Sequence, residues 1–146
     1  MGAAHAGFVH SSYQNWGDTA QALVRQRKLA AADAQLLDER LQFGRLVGNT
    51  DMHSGNASLW VAGHALNDML KGRFAIASVY DMLPMRWKPD PMWGLPDYQP
   101  FDADVAGVSS KLVCAALQFW RVLSVDERVS ASLRTVAAAM AACLKA

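Results

Sequence analysis

The segment 31–47 carries Leu36, Leu37, Leu41, Phe43 and Leu46 on one broad apolar side, with Asp38, Glu39, Arg40 and Arg45 at polar positions. That spacing predicts an amphipathic helix. Gly48-Asn49-Thr50 ends it, because glycine and asparagine accept the left-handed conformation that closes helices. An earlier helix opens at Gly17-Asp18, with Asp18 as N-cap and Ala20, Ala22, Leu23 and Val24 behind it. Two more close the chain. The first covers 109–123. The second starts at Ser124, whose hydroxyl caps while Glu127 reaches back in a capping box, and runs to the C-terminus.

Two short runs break the helical period. Residues 57–61 and 74–78 read as strands, joined by a longer connection that has its own turn of helix around 65–70. From Pro84 to Asp104 all five prolines fall among Trp87, Trp93 and Tyr98, which excludes long regular elements and predicts a packed irregular loop. The order is helices, a hairpin, then helices. The fold class is mainly α with a small β-hairpin.

Composition narrows the picture. A chain of 146 residues, 52% of them hydrophobic, is long enough for one globular domain with a real core. A net charge of +1 gives no long-range attraction for nucleic acid or an anionic membrane. No stretch reaches the roughly 20 apolar residues of a membrane span. The N-terminus has no basic segment leading into an apolar run, so it is not a secretion signal, and a soluble cytoplasmic domain is expected. Cys114 and Cys143 sit far apart, form no metal or redox motif, and are expected to be buried free thiols. His5, His10 and His64 have no partner at a readable spacing and are expected at the surface.

The candidate chemistry lies where the 31–47 helix stops. Asp51 and Asn56 are separated by four residues, a strand follows, and Asp81 comes after the next strand. A protein kinase needs three such groups. One carboxylate accepts the proton of the attacking hydroxyl, an amide oxygen five positions later binds a metal, and a second carboxylate beyond a hairpin bridges metal to nucleotide phosphates. The aspartate-to-asparagine separation equals that of the usual kinase loop H-R-D-x-x-x-x-N. Oxygen donors also suit magnesium, a hard cation that keeps several waters.

Two departures from the common kinase pattern are informative. No His-Arg precedes Asp51; His53 follows it instead, and Asp81-Met82-Leu83 stands where Asp-Phe-Gly would be. Both resemble the HipA-like serine/threonine kinases, whose loop reads approximately T-D-x-H-x-x-N and whose metal aspartate lies in a Y-D-x-L/M segment. The matching residues are Gly48, Asn49, Thr50, Asp51, His53, Asn56, Tyr80, Asp81, Leu83 and Pro84. Tyr13-Gln14-Asn15-Trp16 and the helices after it resemble the YjjJ branch of that family. The resemblance is specific over 43–84 and thin elsewhere. It implies a protein-kinase-like C-terminal helical lobe, Asp51 as catalytic base, Asn56 and Asp81 as Mg2+ and ATP-binding residues, and His53 as a structural residue of the loop. It further implies a toxin whose protein substrate is, in known branches, an aminoacyl-tRNA synthetase, and which an antitoxin restrains.

Other kinase parts have no match here. There is no G-x-G-x-x-G, and Lys28, the one lysine before Asp51, falls in a helix or a helix–helix turn. About forty-five residues precede the loop, too few for a small lobe with its linking helices. The expectation is therefore a C-terminal lobe over residues 1–146 without an N-terminal lobe, weakly active or inactive alone. Arg86 and Lys88 are expected to be solvated cations, and Trp87, Trp93, Tyr98 and Phe101 to pack the proline-rich loop onto the helices. Two other function classes fit parts of the pattern. Asp51-x-His53 has the D-x-H form of two-metal phosphoesterases, which need further histidines that are not found at the required spacing. A non-catalytic helical module derived from a kinase would carry the same motif.

Overall fold

The computed structural model describes residues 16–61, 67 and 70–144. Among these, four α-helices and one two-stranded antiparallel sheet form: α1 Trp16–Arg25, α2 Ala31–Leu46, β1 Leu59–Val61, β2 Phe74–Ile76, α3 Ser110–Val125 and α4 Ala131–Cys143. This is the mainly α architecture with a small hairpin that the apolar periodicity predicts. Both strands are shorter than expected, and the expected helical turn at 65–70 falls largely outside the described residues. None of the described helices is long and apolar enough to cross a membrane.

The residues divide into two compact units, the first comprising 1–41 and 52–82 and the second 42–51 and 83–146. In the first unit, α1 buries Trp16, Ala20 and Leu23, spaced i, i+4, i+7, together with Ala34, Leu37 and Leu41 of α2. Leu36 belongs to the expected apolar side, yet it is exposed. The helix begins two residues before the expected cap, so Asp18 lies inside the first turn, where a carboxylate still favours the positive helix end. Arg27 closes α1 in the left-handed region at φ 57°, with Arg27 N–H donating to Val24 O (2.8 Å) and Lys28 N–H to Leu23 O (2.9 Å). This is the pairing of a Schellman cap, with arginine standing where glycine is usual. The chain then touches the hairpin, because Phe74 N–H donates to Lys28 O at 2.8 Å. Strands β1 and β2 pair Leu59 with Ile76, Trp60 with Ala75 and Val61 with Phe74.

In the second unit, α3 and α4 pack against the last turn of α2 and the proline-rich loop. Ala116, Trp120, Val136, Ala137 and Met140 form a buried core with Leu46, Val47 and Trp87. Trp120 lies edge-on to Trp87 at 5.8 Å, and its indole N–H donates to Leu46 O at 3.1 Å. A buried indole needs such an acceptor. Trp87 likewise donates to Gln99 O at 3.1 Å, which anchors the loop after its single 3-10 turn, Met85–Trp87.

Three sequence expectations fail here for local reasons. The last helix starts at Ser130, not Ser124: α3 continues to Val125, Ser124 Oγ donates back to Arg121 O, and the Asp126 carboxylate accepts the backbone N–H of Arg128, making the turn. Both cysteines are free but exposed rather than buried, since Cys114 lies off the Ala116–Trp120 face of α3 and Cys143 is the last residue of α4. Trp93 is 84% exposed, whereas Trp87 is buried and Tyr98 and Phe101 pack at the core edge. Arg86 and Lys88 are exposed as expected, with the Arg86 guanidinium 5.2 Å from the Phe101 ring centre.

Candidate functional site

The site residues belong to two loops, and each loop is held by bonds that the chain makes locally. In the second unit, α2 ends in a Schellman motif: Gly48 N–H donates to Arg45 O (3.2 Å) and Asn49 N–H to Gly44 O (2.8 Å), with Gly48 at φ 72°. Gly48 is required twice over. Its φ disfavours other residues, and a Cβ there would lie 3.0 Å from Trp87 Cζ3 and 3.2 Å from Phe101 Cε1. Its carbonyl accepts from Arg86 N–H at 2.9 Å. Asn49 is buried, and its Oδ1 accepts the backbone N–H of Asp51 at 2.9 Å in an Asx-turn. Asp51 is thereby set, half-buried, two residues past Asn49, which completes the Schellman motif that closes α2.

In the first unit, the loop continues through His53. The Trp16 indole, buried in the α1 core, donates to His53 O at 2.6 Å. The His53 ring turns back on its own chain, where Nδ1 accepts Gly55 N–H at 3.0 Å and caps the short 3-10 turn Ser54–Asn56. Accepting at Nδ1 places the proton of the neutral ring on Nε2. Gly55 leaves room for that ring, since a Cβ would stand 2.8 Å from His53 Cε1. Asn56 closes the turn, 8% exposed, with its N–H on His53 O at 3.0 Å.

The hairpin then returns the chain. Ala77 N–H donates to Ser58 O at 2.9 Å, one residue beyond the last strand pair. Continued outward, the same register sets Gly55 opposite Tyr80, and there the Tyr80 phenol donates to Gly55 O. Asp81 follows, exposed and in the left-handed region at φ 61°. Aspartate is among the few side chains that tolerate that conformation. The structure thus brings the Gly55-Asn56 and Tyr80-Asp81 segments together within the first unit, and places Asp51 in the second.

Asn56 and Asp81 supply one amide oxygen and one carboxylate on segments that are bonded to each other. Such a sparse, hard oxygen set fits magnesium held chiefly by nucleotide phosphates and water. Among the described residues, no group of three or more His, Cys, Asp or Glu side chains could hold a metal ion. Three contributors hold these loops in ways that the motif reading does not give: Gly55, which is not among the matching residues, and Trp16 and Asn49, whose bonds to His53 O and Asp51 N–H are not implied by the match. Only an aspartate two residues after Asn49 hints at the Asx-turn; the Trp16 bond spans 37 residues and has no sequence signature.

The described residues form a mainly helical protein with one polar turn after a helix end and another at the open end of a small hairpin. The chain is similar to the toxin YjjJ of Escherichia coli (strain K12), with 31% identity over 134 residues, covering 89% of this chain. The chain spans 28% of that protein's length. The match extends well beyond the 43–84 stretch that carries the motifs, and it relates this chain to a toxin. No protein-family model matches the chain, and no solved structure matches it.

Proposed function

We propose that this chain carries the phosphoryl-transfer end of a HipA-like serine/threonine protein kinase of the cytoplasm, with Asp51 as base and Asn56 and Asp81 as ligands of Mg2+ bound to ATP. The observation that carries this reading is the Tyr80–Gly55 hydrogen bond, which joins the segments of the two metal-ligand candidates at the open end of the hairpin. The similarity to a toxin supports the same assignment.

In this reading Asp51 accepts the proton of a protein serine or threonine hydroxyl as that oxygen attacks phosphorus. The Asn49 side chain orients Asp51 through its backbone N–H, and His53 and Gly55 shape the turn that presents Asn56. Magnesium, when bound, neutralises phosphate charge in the transition state. The chain corresponds to the C-terminal lobe, and the groups that hold adenine and cover the phosphates lie outside it. By resemblance, the substrate is a protein such as an aminoacyl-tRNA synthetase, and an antitoxin protein is the restraining partner. Alone, the chain binds Mg-ATP weakly and transfers phosphate poorly or not at all.

Paramagnetic broadening tests this even at weak affinity. Mn2+ with ATP, added to the 15N-labelled chain, should broaden amide signals around Asn56 and Asp81, and Asp81→Asn should remove the effect. Asp51→Asn should leave the broadening intact, as expected of a base that is not a metal ligand. Broadening centred elsewhere, or unaltered by Asp81→Asn, would overturn the assignment.

A further inference from the structure

The core of the first unit is tied to the turn that presents Asn56 by a single polar atom. Sequence neighbours of the three site residues are seated on that core. Met52 follows Asp51, Ala57 follows Asn56, and Val79 and Met82 flank Tyr80-Asp81; all four are partly buried against the cluster that holds Trp16, Ala20, Leu37 and Leu41. Apolar burial is non-directional, so such contacts hold a segment against the core without fixing its position along it. A hydrogen bond, with its narrow range of distance and angle, fixes that position as well.

Trp16 supplies the bond. It is the first residue of α1 and is fully buried. Among the described buried residues of its cluster, it alone has a hydrogen-bonding side chain. Its indole N–H donates to His53 O at 2.6 Å, and the same oxygen accepts Asn56 N–H at 3.0 Å. A carbonyl oxygen has two lone pairs, and this one is shared between the helical core and the 3-10 turn Ser54–Asn56. A buried indole N–H is costly to leave without an acceptor. The backbone at His53 therefore cannot slide without exposing that cost.

We propose that Trp16 is a positioning residue of the phosphoryl-transfer site: through His53 O, its indole N–H sets the turn that carries Asn56, so that Asn56 and Asp81 act on one metal ion. This role rests on the magnesium reading of Asn56 and Asp81, and adds the element that holds them in place. The Tyr80–Gly55 bond joins the two ligand segments to each other, and Trp16 ties the joined pair to α1. Trp16 touches neither metal nor nucleotide; it acts through the backbone of His53.

Trp16→Phe keeps an aromatic ring in the core and removes the donor. Trp120→Phe is the matched control, because Trp120 is equally buried and its indole donates to Leu46 O in the second unit. Without metal, the Asn56 amide should exchange with solvent about fivefold faster in Trp16→Phe, the scale of one lost hydrogen bond. Trp120→Phe should leave that exchange unchanged. With Mn2+ and ATP, Trp16→Phe should raise the concentration that half-broadens Asn56 and Asp81 by about fivefold, and Trp120→Phe should not. In the unsubstituted chain the Trp16 indole 15N–H signal should shift on adding Mg2+ with ATP, which a purely structural tryptophan would not do. That shift decides the matter even where Trp16→Phe fails to fold. The role is overturned if Asn56 exchange is the same in Trp16→Phe, if both variants weaken the broadening equally, or if the indole signal stays still while Asn56 and Asp81 respond. Broadening present in the unsubstituted chain but unaltered by Trp16→Phe sinks this role alone. Broadening absent from Asn56 and Asp81 altogether sinks the magnesium reading, and this role with it.

Discussion

The Tyr80 phenol donates to the backbone carbonyl of Gly55, the residue before Asn56, and so clips the segment bearing Asp81 to the turn bearing Asn56. Register alone puts these residues opposite each other, but the strands themselves stop at Leu59 and Ile76, leaving the phenol as a cross-link beyond the ladder. Tyr80→Phe keeps the ring and removes the donor. It should cost about 0.5–1.5 kcal/mol in urea titration, the usual net worth of one hydrogen bond, and should reduce Mn2+-ATP broadening at Asp81 more than at Asn56. Unchanged stability would show that the exposed phenol is satisfied equally by water.

Two glycines with the same backbone angle allow the steric demand at the end of α2 to be measured. Gly48 and Gly107 both have φ 72°, but a Cβ at Gly107 meets nothing within 4 Å while one at Gly48 strikes the Trp87 ring. Gly107→Ala should therefore lose only the left-handed penalty, about 1–2 kcal/mol. Gly48→Ala should lose a further ~1–3 kcal/mol from crowding Trp87 and Phe101. Chemical denaturation of the two variants gives the comparison directly. Equal losses would mean that the Trp87 ring shifts aside without cost.

An acid titration singles out the turn between α3 and α4. The Arg128 guanidinium, at 2.6 Å and 2.9 Å from the Asp126 carboxylate, and then the Arg128 backbone N–H hold that carboxyl down from 3.8 to about 2. A depressed value in the folded state means that the pair contributes above pH 3.8, and the contribution is lost as pH falls through about 2. Carboxyl 13C shifts should show Asp126 titrating near 2, and Arg128→Ala should return it towards the ordinary aspartate range. A normal midpoint in the unsubstituted chain would show that this exposed pair is dissolved in solution.

What could be read in advance divides along physical lines. The end of α2 was legible because Gly48-Asn49 gives a local stop, although only Leu37 and Leu41 keep helical spacing and Leu46 is buried in a different core cluster. Asp51, Asn56 and Asp81 were singled out by spacing, which is a property of the chain alone. The bonds that hold their loops were mostly invisible, because Trp16 to His53 spans 37 residues and Tyr80 to Gly55 spans 25. Periodicity also names a face without saying how wide it is, so Leu36, expected on the apolar side of α2, is exposed; Cys114 and Cys143, expected inside as unliganded thiols, are exposed because residue type alone does not place a side chain.

The boundary between α3 and α4 is the sharpest case of a local signal overruled, and it yields a paired prediction. Ser124 has the sequence of a capping box with Glu127, but α3 keeps its helical path through Val125, and a serine already inside a helix bonds its hydroxyl back to the preceding turn, here Arg121 O at 2.8 Å. Ser130 has no glutamate three residues on. It nevertheless takes the cap, with extended backbone and Oγ accepting Leu133 N–H, because Asp126 and Arg128 have already turned the chain. Ser130→Ala should thus cost about 1 kcal/mol, the typical loss of a serine N-cap. Ser124→Ala should be neutral or slightly stabilising, since alanine is the better residue inside a helix. Thermal unfolding of both variants decides between the two serines. A larger loss at Ser124 would restore the capping box and move the start of α4 back to it.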